Sequence, residues 1–209
     1  GLLGAMHAPL PTPSTLINDT WTADDLRAAW TQRTNVPDLV AVNAHFEHWA
    51  ALPAYAPTLA DLFVNIDVQK ANASIAGSIA WSMGCHAGYN VPDDDVPFIY
   101  PKTSPDFPQA LASKGSTWIA NTGYGYGTDD GIAGSERLMV YLTQEMGRQN
   151  VMPIGMALRN AKVRYLYGLP QGGLTPYDAK SIMQTVLYGL PMYLVDTPNT
   201  LNPSTFLPP

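Results

Sequence analysis

Continuous apolar runs of strand length alternate with segments of helical periodicity along this chain. The runs lie in "DLVAVNAH" (38–45), "GSIAWSMGC" (77–85) and "STWIAN" (116–121). Such uninterrupted apolar runs are typical of strands that are covered by helices on both faces. The alternation therefore predicts an α/β fold with a mostly parallel sheet, in which the first two runs are neighbouring strands.

Five segments have the periodicity and the end signals of helices. They are "TADDLRAAWTQR" (22–33), "FPQALASKGS" (107–116), "SERLMVYLTQEMGRQ" (135–149), "PIGMALRNAKVRYL" (153–166) and "TPYDAKSIMQTVLYG" (175–189). Thr22 and Thr175 are the expected N-caps, and Gly115 and Gly189 are expected to end the second and the last of these helices. A short strand in "MYLVDT" (192–197) is expected to follow.

Composition narrows the class of protein. The chain has 209 residues, of which 46% are hydrophobic, and a formal net charge of −6. We expect a proline-rich lead-in or linker over residues 1–21 and one globular domain over residues 22–209. The acidic balance provides no electrostatic footprint for nucleic acid, and no apolar run reaches the roughly 18 residues of a membrane span. Charged residues make up only 13% of the chain, which favours an extracellular protein.

The chain contains one cysteine, Cys85, at the carboxyl end of the second apolar run, where parallel sheets place their active sites. A thiol becomes a nucleophile when a base or a positive charge lies nearby, and the chain has four histidines, His7, His45, His48 and His86. His7 lies in the lead-in, and on a strand His86 would point to the side opposite Cys85. His45 ends the neighbouring run, 40 residues before Cys85, so these two residues form the preferred catalytic pair.

Two other interpretations of these residues stay open. A free cysteine is commonly a small core residue without chemistry. The cysteine and the histidines 45, 48 and 86 also have the residue types of a zinc site, although only His45 and His48 have ligand-like spacing. The preferred prediction assigns no metal to these residues.

The segments "LVAVNAHFEHW" (39–49) and "IAWSMGCHAG" (79–88) resemble the two signature blocks of the gingipain-like family of caspase-fold cysteine peptidases. In that family one apolar strand ends in His-Gly and another ends in the catalytic cysteine. Trp49 and the closing turn "VLYGLPMYLV" (186–195) are also similar to the family pattern. The resemblance covers roughly residues 25 to 196 and implies a three-layer caspase-like (Rossmann-like) α/β sandwich.

The resemblance implies a cysteine endopeptidase that acts on polypeptide substrates, without a required cofactor, in a secreted or cell-surface protein of bacterial origin. Cys85 would form a thioacyl intermediate and His45 would be the general acid/base. The backbone N–H groups of Phe46 and Cys85 would face the oxyanion.

The loop "NTGYGYGTDDG" (121–131) follows the third strand, where caspase-like peptidases build the pocket for the residue before the cleaved bond. Tyr124 and Tyr126 are expected as walls of this substrate-binding pocket. Asp129 or Asp130 would select Arg or Lys, although a solvated turn is the favoured interpretation of the two acids. In "PDDDVP" (92–97), three carboxylates are compatible with a structural calcium ion, although a charged surface loop is favoured.

Two residues depart from the family pattern: Phe46 stands where glycine is usual, and Leu190 stands where aspartate is usual. Too little chain precedes residue 38 to supply all of the family's leading strands. The sheet is therefore expected to lack its first strands, and other fragments of a larger protease precursor are expected partners. The alternative function is a catalytically inactive caspase-like domain that serves as a binding or assembly module.

Overall fold

The computed structural model describes residues 13–95, 105–148, 151–169 and 173–196. These residues form two compact units. The first unit contains residues 14–95, 105–124 and 185–189, and the second contains Pro13 and residues 125–148, 151–169, 173–184 and 190–196. The predicted lead-in over residues 1–21 lies mostly outside the described residues.

The helices and strands follow in chain order. They are α1 (Ala23–Ala29), β1 (Leu39–Ala41), β2 (His45–Glu47), β3 (Ala50–Leu52), β4 (Phe63–Val64), α2 (Asn65–Gln69), β5 (Ile79–Trp81), α3 (Phe107–Ser113), β6 (Thr117–Asn121), α4 (Gly134–Met146), β7 (Val151–Pro153), α5 (Ile154–Tyr167), α6 (Pro176–Gln184), β8 (Thr185–Tyr188) and β9 (Leu194–Asp196).

A mostly parallel central sheet organises the first unit, in the strand order β1-β5-β6-β8. Leu39 pairs with Ile79 and Ile79 with Thr117, both in parallel register. All five residues of β6 are buried, as the continuous apolar run predicts. The mixed α/β class and the neighbouring parallel strands 39–41 and 79–81 are confirmed.

The last strand of this sheet occupies residues that the sequence assigned to a helix. The predicted helix 175–189 ends at Gln184, and Thr185–Tyr188 form β8, antiparallel to β6. The predicted helix end was wrong because Thr, Val and Tyr fit a pleated strand. The Thr185 hydroxyl also donates to Asn121 Oδ1 at 2.8 Å, which anchors the strand to its neighbour.

A second correction concerns the strand that was expected to end at His45. β1 ends at Ala41, and His45 instead begins β2 in a separate antiparallel sheet with the order β2-β3-β4. The two residues His48 and Trp49 form the turn between β2 and β3. Strands this short have no hydrophobic alternation long enough to be recognised, so the sequence did not predict this sheet.

Predicted caps define helix starts in both units. The Thr22 hydroxyl accepts from Asp25 N at 3.2 Å while the Asp25 carboxylate accepts from Thr22 N at 2.8 Å, which is a full capping box. Thr175 and Asp178 form the same reciprocal pair. α1 is shorter than the predicted 22–33, and α2 arises in a polar stretch where no helix was predicted.

A chain of aromatic rings connects the two sheets of the first unit. Phe46 of β2 meets Phe107 of α3 edge-on at 5.4 Å, and Phe107 stacks with Trp118 of β6 at 6.4 Å. Phe63 of β4 stacks with Phe107 at 6.1 Å and with Trp30 at 5.7 Å. Each such ring pair contributes about 0.5–1.5 kcal/mol beyond its buried area, so this cluster fixes the small sheet against the central one.

The second unit consists of helices α4, α5 and α6 with the strand pair β7-β9. The buried carboxylate of Glu145 in α4 lies 3.3 Å from Arg148 and 3.9 Å from Arg164 of α5. Tyr165 of α5 donates to Asp178 of α6 at 2.6 Å. Within the described ranges of both units, no helix has the length and apolar character to cross a membrane.

Candidate functional site

Cys85 lies in a tight turn, Cys85–Gly88, that follows β5 at the carboxyl edge of the central sheet. Its side chain is partly exposed. Two backbone hydrogen bonds attach the turn to the end of β6: His86 N donates to Gly123 O at 2.8 Å, and Gly88 N donates to Asn121 O at 2.8 Å. The predicted edge of the sheet is therefore where the cysteine lies.

Three side-chain donors from β6 and β8 fix carbonyls in and just before this turn. Trp118 Nε1 donates to Ala87 O at 2.7 Å, Tyr188 OH donates to Gly88 O at 2.5 Å, and Asn121 Nδ2 donates to Met83 O at 2.9 Å. Burial raises the pKa of Tyr188, which keeps its hydroxyl protonated as a donor. The backbone around the thiol is thus held in one conformation by neighbouring strands.

His86 adopts a left-handed backbone conformation, with φ 57°, and is the one non-glycine residue of the described ranges with positive φ. Such strain in a non-glycine residue occurs where the surroundings impose it, often at functional sites. The ring of His86 meets Tyr124 at 4.9 Å and Tyr89 at 5.8 Å. The prediction that His86 points to the opposite side of a strand was wrong in its premise, because Cys85 and His86 belong to a turn.

The cysteine turn and the segment that carries His45 approach each other at Gly84. A Cβ on Gly84 would lie 2.7 Å from Ala44 O and 2.6 Å from Phe46 Cδ2, which is closer than real Cβ contacts allow. Gly88 similarly leaves no room for a side chain beside Ala120 O, at 2.7 Å. Glycine at position 84 lets the backbone beside Cys85 pack against the Ala44 carbonyl and the Phe46 ring, and glycine at position 88 lets the turn pack against β6.

His45 is exposed at the start of β2, an edge strand of the small sheet. Glu47 pairs with Ala50 across the two-residue turn, and Phe46 pairs with Ala51. In such a hairpin the closing pair is hydrogen-bonded and the next pair is not, so the N–H of Phe46 points away from β3.

The side chain of Phe46 is buried, 5% exposed, and belongs to the aromatic cluster with Phe107 and Trp118. Its backbone needs no left-handed conformation, because Phe46 is not among the residues with positive φ. A phenylalanine therefore fits where the gingipain-like pattern has glycine, and the substitution leaves the backbone N–H in place.

His48 lies in the core of the first unit and not at the surface. Its Nε2 lies 4.0 Å from the buried Asp106 carboxylate, and its carbonyl accepts from Phe107 N at 2.8 Å. Burial lowers the pKa of His48, a nearby His86 lowers it further, and Asp106 and Glu47 oppose the shift. The sequence analysis did not identify Asp106. Its position just before helix α3 could have marked it as an N-cap candidate.

Acidification is expected to destabilise the first unit through His48. Because the pKa of His48 is lower in the folded chain than its ordinary 6.5, unfolding takes up a proton in the window just below pH 6.5. The His48 contribution is complete above about pH 6.5 and is lost as the pH falls toward the folded pKa. Urea unfolding of His48→Gln should show a shallower acid dependence than the parent.

The predicted substrate-binding residues divide between the two units. Tyr124 belongs to the first unit, is 62% exposed and contacts the ring of His86 beside Cys85. Tyr126 belongs to the second unit, where its ring meets Tyr177 at 5.2 Å. Asp129 and Asp130 are exposed in a turn of that second unit.

No group of three or more His, Cys, Asp or Glu side chains within the described ranges is arranged to hold a metal ion. Asp93–Asp95 form a single 3-10 turn, and the rest of the acidic segment considered for calcium, residues 96–97, lies outside the described residues.

Compared with models of known protein families, with curated proteins and with solved structures, the chain matches none of them.

Proposed function

We propose that this protein is a cysteine endopeptidase of the gingipain-like, caspase-fold type, with Cys85 as nucleophile and His45 as general acid/base. The observation that carries the proposal is the contact at Gly84, which precedes the chain's one cysteine and packs against the Ala44 carbonyl and the Phe46 ring, on either side of His45 in the chain. This contact supports the pairing because the segment that carries His45 packs beside the cysteine turn at the carboxyl edge of the parallel sheet, where α/β folds hold their ligands.

Cys85 is suited to the role of nucleophile because its side chain is partly exposed on a turn with a fixed backbone. In the first step, the Cys85 thiolate attacks the carbonyl carbon of a peptide bond and forms a tetrahedral oxyanion. The oxyanion collapses to a thioester as His45 donates a proton to the leaving amine. Water then hydrolyses the thioester, which releases the acid product and regenerates the thiol.

The oxyanion of both steps needs donors that are aimed before the reaction begins. The N–H of Phe46 points away from β3 along the free edge of β2, and Gly84, which precedes Cys85, touches the Phe46 ring. The backbone N–H groups of Phe46 and Cys85 form the proposed oxyanion hole. One such donor contributes roughly 3 kcal/mol to stabilising the transition state. A caspase-like, three-layer fold belongs to the same proposal.

The reactivity of the thiol tests the proposal without knowledge of the substrate. A catalytic cysteine paired with a base is more reactive than an ordinary thiol of pKa near 8.5. Iodoacetamide should therefore label native Cys85 at pH 7 at least about tenfold faster than it labels the urea-unfolded chain. Slower labelling of the native chain would favour the alternative, an inactive domain that serves as a binding or assembly module.

Specificity for Arg or Lys before the cleaved bond is a further prediction, which the sequence position of Asp129 and Asp130 alone motivates. Because both carboxylates are exposed, an ion pair with the substrate contributes only about 0.2–1 kcal/mol, which corresponds to a preference of roughly fivefold or less. The preference is measured with a panel of peptides that differ only in the residue before the cleaved bond. Asp129→Asn and Asp130→Asn are the matched controls. Equal turnover of Arg and Leu peptides by the parent would end the prediction.

A further inference from the structure

Two asparagine side chains hold opposite ends of the backbone at Met83, two residues before the thiol. The Met83 N–H donates to Asn43 Oδ1 at 3.1 Å, and the Met83 carbonyl accepts from Asn121 Nδ2 at 2.9 Å. Asn43 follows β1, Met83 follows β5 and Asn121 ends β6. The polar bridge thus joins the carboxyl ends of three neighbouring parallel strands at the candidate site.

The chemistry of the partners fixes the orientation of both amides. A backbone N–H can only donate, so Asn43 must present its oxygen, and a backbone carbonyl can only accept, so Asn121 must present its NH₂ group. Thr185 of β8 supports this orientation, because its hydroxyl donates to Asn121 Oδ1 at 2.8 Å. Asn43 therefore accepts a hydrogen bond from Met83, and Asn121 donates a hydrogen bond to Met83.

The environment of the two side chains differs. Asn121 is fully buried, 0% exposed, and its carbonyl also receives Gly88 N from the far side of the cysteine turn at 2.8 Å. Asn43 is exposed and lies one residue before Ala44, whose carbonyl meets Gly84. Asn43 thus connects the cysteine turn to the histidine segment, and Asn121 connects it to the sheet.

We propose that Asn43 and Asn121 are positioning residues that clamp Met83 from both sides and thereby set the place of the Cys85 thiol relative to His45. This inference rests on the proposed function for its consequence in catalysis. A misplacement of about 1 Å at a reacting atom reduces rates by roughly 100-fold. Loss of either hydrogen bond to Met83 should therefore lower the reactivity of the thiol.

The same substitution at the two positions gives opposite expected results. Asn43→Asp keeps an acceptor for the Met83 N–H, so the alkylation rate of Cys85 and kcat/KM should stay within about threefold of the parent. Asn121→Asp removes the donor and places a carboxylate against the Met83 carbonyl, so both rates should fall by roughly 30-fold or more at pH 8. Lowering the pH protonates the introduced carboxyl, which can then donate, so the relative loss should shrink toward pH 5.

Asn43→Leu is the matched variant at the exposed position, where folding is least at risk. It removes the acceptor, and the alkylation rate of Cys85 should fall by roughly tenfold or more while Asn43→Asp remains near the parent. If Asn121→Asp does not fold, this Asn43 pair decides the proposal. The thermal midpoint of every variant is measured alongside, because a purely structural role would move the midpoint and leave the pH profile of alkylation unchanged.

Equal effects of Asn→Asp at the two positions, or Asn43→Leu with the parent's alkylation rate, would overturn the clamp. The alkylation readout needs no substrate. If the variants show the expected alkylation pattern but the parent hydrolyses no peptide, the proposed endopeptidase activity is refuted. The proposed positioning role of Asn43 and Asn121 is then still supported.

Discussion

Cys85→Ala is expected to abolish peptide hydrolysis, with kcat/KM reduced on the order of 10⁴-fold or more. Alanine removes the sulfur atom that is proposed to form the covalent intermediate, and the remaining groups could then only position water. The loss should occur without unfolding, because the Cys85 side chain is partly exposed and the turn is held by backbone and neighbouring side-chain hydrogen bonds.

A fluorogenic peptide mixture measures this loss, and circular dichroism with the thermal midpoint shows whether the variant is folded. The matched control is Met83→Leu, which changes a nearby side chain while the backbone groups bound by Asn43 and Asn121 remain. Hydrolysis by Cys85→Ala at more than about one per cent of the parent rate would mean that the chain cleaves peptides through another group.

His45→Ala is expected to reduce kcat/KM by roughly 10²- to 10⁴-fold, the range for loss of a general acid/base. His48→Gln should change kcat/KM by less than about threefold once its lower stability is corrected for, because His48 is a buried residue of the hairpin turn that packs against Asp106 and Phe107. Gln retains a side-chain amide of similar size at this buried position, which limits the cavity that alanine would create.

The two histidine variants are compared at one temperature well below both thermal midpoints, and the thermal midpoint of each is determined first. His45 is exposed, so its removal should leave the midpoint near that of the parent, and the activity loss can be attributed to chemistry. A severe loss in His48→Gln with a harmless His45→Ala would reverse the assignment and make the His48–Asp106 pair the catalytic base.

The parallel sheet was predictable because its short strands lie within longer apolar runs and because helix starts carry strong caps such as Thr22 and Thr175. The hairpin of His45 was not predictable, since strands of three residues carry no measurable alternation. β8 was mistaken for helix because its pairing with β6 outweighs the helical periodicity of the preceding turns, a tertiary effect that no local window contains.

The sequence predicted the edge of the sheet at which Cys85 lies, but it did not predict the local structure around Cys85 and His45. Cys85 and His45 were selected because each follows an apolar run, yet β1 ends at Ala41 and His45 begins a strand of another sheet. The His48–Asp106 pair and the two hydrogen bonds to Met83 join residues about 40 to 60 positions apart in the chain. The left-handed conformation of His86 depends on a tight turn. Sequence patterns reveal which groups are present, and only packing decides which of them meet.

The central claim is that Cys85 attacks a peptide carbonyl with the help of His45, and trapping with a substrate-like electrophile tests it most directly. A set of peptidyl acyloxymethyl ketones is incubated with the parent, His45→Ala and the urea-unfolded parent, and intact mass with peptide mapping locates the adduct. We predict one adduct per chain, on Cys85, which forms rapidly only in the native parent and is slowed by roughly 100-fold in His45→Ala. Equal rates in the native parent, in His45→Ala and in the unfolded chain would contradict the account.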